Sequence, residues 1–152
     1  MESYTTSKYA TGLEDITLTS SYNSTNSFDI DLNKVTSQNL TVVGDNSHLF
    51  NRLTILFEYQ LGSGETNNTI DFTIHNGDDE NDIYLTTASA VSAGAVTLSD
   101  QEFKWTGANA TDPYKRSFSV EISDRFLRVY VKETGVAANA GTATIKYFLS
   151  KS

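Results

Sequence analysis

Residues 27–33 read SFDIDLN and residues 68–75 read NTIDFTIH. In the first, Phe28, Ile30 and Leu32 alternate with Asp29 and Asp31; in the second, Ile70, Phe72 and Ile74 alternate with polar residues. A period of two puts one set of side chains on one face of a strand, whereas a helix would scatter these charges through its apolar stripe. The pattern therefore predicts half-solvated strands of antiparallel sheets. It recurs at Ile16 and Leu18, and at Phe118, Val120 and Ile122.

Three segments are more apolar and read as central strands. Residues 51–60, NRLTILFEYQ, carry Leu53, Ile55, Phe57 and Tyr59 on one face and Leu56 on the other. Residues 125–133 place Leu127, Val129 and Val131 inward. Residues 142–150 place Ala143, Ile145, Tyr147 and Leu149 on one face. The small-residue stretch TGVAANAG joins the last two segments, which together read as a C-terminal hairpin. Residues 86–95, TTASAVSAGA, leave room for one helical turn at most. Gly and Asn clusters mark turns at LGSGETNN, HNGDDEND and SAGA, and the single proline, Pro113, falls in a loop. About eight to ten short strands separated by such turns give an all-β antiparallel sandwich. The alternation of long loops with long strands favours a jelly roll over an immunoglobulin-like sandwich. Residues 1–12 carry no core pattern and read as an extended N-terminal arm, leaving residues 13–152 as a single β-sandwich domain.

A chain of 152 residues can bury a core without staples, and it has no cysteine for disulfides, thiolate metal sites or a Cys nucleophile. The formal net charge of −8 argues against nucleic acid and anionic membrane as partners. No stretch approaches the roughly 20 apolar residues of a membrane span. The start of the chain lacks a secretory pattern and reads as that of a soluble intracellular product.

Little in the chain nominates chemistry. His48 and His75 are the only histidines, and neither has a second histidine at metal-ligand spacing. Ser and Asp are frequent enough that some neighbour any histidine, so no triad stands out. Both histidines read as surface or strand-end residues. The acidic run Asp78, Asp79, Glu80, Asn81, Asp82 could supply oxygens to calcium, but it departs from the EF-hand order and reads as a solvated hairpin loop. No catalytic residue, metal or cofactor is expected; the reading is a binding or structural protein. The aromatic candidates for protein contact are Tyr4 and Tyr9 in the arm, Trp105 in EFKWTG and Tyr114 after the proline.

The chain resembles the small jelly-roll cement (decoration) proteins of tailed bacteriophage capsids. The likeness lies mainly in residues 117–151, SFSVEISDRFLRVYVKETGVAANAGTATIKYFLSK. There Phe126, Leu127, Arg128, Val129 and Val131 match an aromatic-Leu-Arg-Val-x-Val strand, followed by a small-residue turn at Gly135–Gly141 and a closing strand at Ile145–Leu149. Residues 51–64 followed by 68–82 are similar to a hairpin bearing an acidic loop, and residues 15–32 to the opening two strands. The resemblance implies a virion protein made in the host cytoplasm and bound to the capsid exterior. Its partner would be the major capsid protein, and it would form a homo-oligomer, dimer or trimer, at symmetry axes. Charges within the strands, at Asp29, Asp31, Asp71 and Lys132, would guard sheet edges against aggregation. The alternative is a carbohydrate-binding β-sandwich module or tail-fibre-type lectin, with Trp105 or Tyr114 exposed in a groove.

Overall fold

A computed structural model describes residues 9–32, 36–37, 40–41, 50–84, 87–107, 113–122 and 126–151. The strands, in chain order, are β1 (Ala10–Thr17), β2 (Ser27–Asp31), β3 (Thr36–Ser37), β4 (Leu40–Thr41), β5 (Arg52–Gln60), β6 (Thr69–Asp79) and β7 (Asp82–Tyr84). They continue with β8 (Thr87–Ser92), β9 (Ala95–Asp100), β10 (Phe103–Thr106), β11 (Tyr114–Glu121), β12 (Phe126–Thr134) and β13 (Thr142–Ser150). One 3-10 turn, Ser24–Asn26, precedes β2. The Asn23 side chain caps it by accepting from the amides of Thr25 and Asn26 at 3.0 and 3.1 Å.

Two antiparallel sheets face each other. Sheet A runs β1-β13-β5-β11 and sheet B runs β10-β6-β12-β2, with β7 added beside β6. Each sheet has a run of four adjacent strands, the chain passes repeatedly from one sheet to the other, and β1 lies against β13. The protein is an all-β, jelly-roll-like sandwich.

Alternation explains the packing. Leu53, Ile55, Phe57 and Tyr59 of β5 face Ile70, Phe72 and Ile74 of β6 and Leu127, Val129 and Val131 of β12 in one buried cluster. Each such fully buried side chain contributes about 1.5–3 kcal/mol relative to exposure. The β10–β11 side of the core is aromatic. Trp105 lies 4.7 Å from Phe118 and 5.2 Å from Phe57, centroid to centroid, and Phe103 stacks on Phe118 at 5.1 Å. The other side is closed by Phe28 stacked on Tyr147 at 5.5 Å.

Several expectations are corrected here. Segments 126–134 and 142–150 do not form a hairpin: β12 pairs with β6 and β2, and β13 with β5 and β1. Each carries an apolar face that needs an opposing layer, and placing the two in opposite sheets supplies it. For the same reason 51–60 and 68–75 lie in different sheets. The acidic run instead turns the β6–β7 hairpin, its residues exposed. Residues 87–100 form a regular two-stranded hairpin rather than a helical turn, closed by Ala93 and Gly94 with φ of 51° and 82°. Two successive positive φ values define the primed turn whose twist suits adjacent antiparallel strands. Strand β1 begins at Ala10, so residues 10–12 belong to sheet A rather than to an arm, and residues 1–8 lie outside the described residues.

Candidate functional site

The outer face of sheet A is built from residues that point away from the core on three neighbouring strands. Register places Lys146 of β13 and Ser117 of β11 on either side of Leu56 on β5. One row along, Thr144 and Lys115 flank Glu58; on the other side, Phe148 and Ser119 flank Thr54. Thr54 and Ser119 share a hydroxyl hydrogen bond of 2.8 Å, and Lys115 meets Glu58 at 3.5 Å in solvent. Outward positions of a half-solvated sheet are ordinarily polar. Leu56 and Phe148 break that rule, and Tyr9 packs edge-on over Phe148 at 5.3 Å while remaining 59% exposed. Leu56 and Tyr9 line an open groove of about 520 Å³ together with Glu58, Lys115, Arg116 and Lys146, and Phe148 supports Tyr9 from beside it. A partly apolar groove with a charged rim, three cations and Glu58, suits contact with another macromolecule's surface.

The outer face of sheet B is organised differently. Asp71, on the central strand β6, is fully buried although it sits at an outward position. Its neighbours across the strands are Lys104 of β10 and Lys132 of β12. It accepts from Thr69 Oγ1 at 2.7 Å and from Thr134 Oγ1, and pairs with Lys104 Nζ at 3.4 Å. Glu102 closes over it, pairing with Lys104 at 3.3 Å and Lys132 at 3.4 Å and accepting from Tyr22 Oη at 2.8 Å. Burial pushes the Glu102 carboxyl upward, but the Tyr22 hydroxyl and the two lysines outweigh it and hold it below the ordinary carboxylate range. Lys132 Nζ also lies 4.4 Å from the Tyr22 ring centroid. Asp71 and Lys132 are thus partners in a central network rather than guards of an edge. Asp29, on edge strand β2, instead takes a bidentate pair from Arg128 at 2.6 and 3.0 Å.

Two further carboxylates hold the loops. Glu65 accepts from the amides of Ala137, Ala138 and Asn139 at 2.6–3.1 Å, and these bonds lower its pKa to about 2. The contact is backbone-close: a Cβ on Gly62 would sit 2.0 Å from the Asn139 carbonyl oxygen. Glu133 is buried between the sheets, where it accepts from Gly141 N at 2.7 Å and from Tyr59 Oη. Burial, then the neighbouring Glu133, pushes the Tyr59 hydroxyl far above its ordinary range.

Of the candidates named from sequence, Tyr9 stands at the groove. Trp105 points into the aromatic core, and Tyr114 is half-buried on the inward side of β11 with the Arg116 guanidinium 4.1 Å from its ring centroid. Tyr4 and His48 lie outside the described residues. His75 is not a surface histidine; it is buried in β6 with its ring 4.9 Å from that of Tyr130. Sequence reading did not nominate Leu56, Phe148 or Lys146 as contact residues. The signal was the parity break, apolar residues on both faces of one strand in TILFEY and KYFL. Among the described residues no group of three or more His, Cys, Asp or Glu side chains is placed to hold a metal ion. No protein-family model matches the chain, and no curated protein matches its sequence.

Proposed function

We propose that this protein is a structural virion protein that binds the outer surface of a phage capsid and stabilises it, a cement or decoration protein. The observation that carries the reading is the outer face of sheet A, where Leu56 and the exposed Tyr9, itself packed on Phe148, line a groove rimmed by Lys115 and Lys146. The sequence resemblance to capsid cement proteins supplies the kind of partner. The jelly roll serves capsid and lectin domains alike, so the fold does not choose between them and the site must. A subunit repeated over a shell needs only a modest contact per copy, because neighbouring contacts act together. The major capsid protein is the partner on this reading, and the capsid exterior the location.

A carbohydrate-binding module is the second reading, with Tyr9 the aromatic on which a sugar would stack. The packing of Trp105 against Phe57 and Phe118 speaks against the lectin groove expected around it. Mass spectrometry of purified virions, with surface labelling by antibody, tests the first reading: a high-copy external component is expected. Absence from the particle, together with a positive glycan array, would replace it with the second.

A further inference from the structure

The sandwich ends in edge strands that are all blunted. Strand β1 has register breaks between Thr11 and Leu13 and between Leu13 and Ile16, exposed Glu14 and Asp15, and a positive φ of 47° at Asp15. Strand β11 carries exposed Lys115, Arg116 and Glu121. Strand β10 has only four residues including Lys104, and β2 only five, including Asp29 and Asp31. Bulges, charges and shortness are how sheet proteins avoid pairing with other chains.

The β8–β9 hairpin has no register break, and its only charge is Asp100 at the root. Its register runs unbroken from Thr87 opposite Asp100 to Ser92 opposite Ala95. From Ile83 to Ser99 the sequence contains no Asp, Glu, Lys, Arg, His or Pro. Among the described residues, β8 and β9 pair only with each other and belong to neither sheet of the sandwich. A lone two-stranded hairpin is marginal in water and gains most from further strands. At its root, Tyr84 is 64% exposed.

We propose that this hairpin is an assembly element that pairs edge to edge with the same hairpin of a second copy, forming a four-stranded sheet across a two-fold axis. Two arguments select a second copy. Every copy presents the same unguarded edge, which is the condition for an isologous contact. The chain also carries a net charge of −8, so copies repel over most of their surface and approach best through the uncharged stretch. A six-residue strand offers an edge about 20 Å long. The turn at Ala93–Gly94 makes Ser92 and Ala95 a hydrogen-bonded pair, so the amides of Ser89, Val91, Val96 and Leu98 point outward to that edge.

The test uses the full chain alone, without shells, so its failure and that of the capsid reading are distinguishable. Light scattering across the micromolar range should give twice the chain mass of 16.7 kDa. The double variant Ser89→Pro, Leu98→Pro removes an outward amide on each edge without touching the bonds within the hairpin, and should be monomeric, with the unfolding midpoint of the unmodified protein measured at dilutions where it too is monomeric. Hydrogen exchange of the unmodified protein gives an independent reading: the outward amides of the one strand at the seam, Ser89 and Val91 or else Val96 and Leu98, should be protected in concentrated samples and exchange freely on dilution, while those of the other strand exchange freely throughout. A chain that stays monomeric, an oligomer that survives the double substitution, or fast exchange of both pairs of amides at every concentration would overturn the proposal.

Discussion

On the outer face of sheet B, Asp71, Glu102, Lys104 and Lys132 close on one another around the middle of the sheet. On the outer face of sheet A, Leu56 and Tyr9 line an open groove beside small hydroxyl side chains, and Phe148 packs against Tyr9. Both faces belong to sheets with equally alternating strands, so the contrast comes from the few residues at outward positions. Charges placed opposite one another across adjacent strands consume their own bonding capacity. Apolar residues in the same positions leave surface that a partner can cover. On the proposed reading, one face serves the stability of the subunit and the other its attachment.

That division can be broken in four ways. Asp71→Ala should have the largest effect, a loss of about 3 kcal/mol in urea unfolding, because it strips the buried partner from Lys104 and Thr134. Shell binding by the folded fraction should be unchanged. Tyr9→Ala should show the reverse, with shell affinity weakened about tenfold, or about 1.4 kcal/mol, and the unfolding midpoint held. If both substitutions affect stability alone, the attachment role of sheet A fails.

Acid should act on the carboxylates committed to the fold. Glu65 has a folded pKa of about 2 against an ordinary 4.5, so its contribution is present above pH 4.5 and is lost as pH falls through 2. Glu102, also held low, works in the same direction. Unfolding measured across this window should weaken progressively, and Glu65→Gln should flatten that part of the profile. The smallest effect belongs to Lys115→Ala: its pair with Glu58 is exposed, so the change in stability should stay within about 0.5 kcal/mol. A larger loss would mean that sheet A's outer face also depends on its charges.

How much of this was legible in the sequence follows from what a two-residue period encodes. It reports which face a side chain takes, and the inward sets of β5, β6, β12 and β13 were readable directly. It does not report which strand lies next door, so the crossing of Gly135–Gly141 between sheets passed for a hairpin. Buried carboxylates were also hidden. Glu133 occupies an inward position because Tyr59 and Gly141 satisfy it, and Asp71 is outward yet covered by side chains from β10 and β12. Such partners are distant in sequence, and no local pattern announces them. Leu56 and Phe148 were visible as parity breaks, but their convergence with Tyr9 needed the register of sheet A.

The pairing of β1 with β13, Ala10 opposite Tyr147 and Thr17 opposite Thr142, also imposes an order of events during synthesis. Strand β13 bonds to both β1 and β5, so sheet A stays split until residues 142–150 have left the ribosome. Until then β1 and the facing side of β5 lack their neighbour, and the loop that must close spans residues 18–141. Sheet A therefore closes only once β13 is available to bridge β1 and β5.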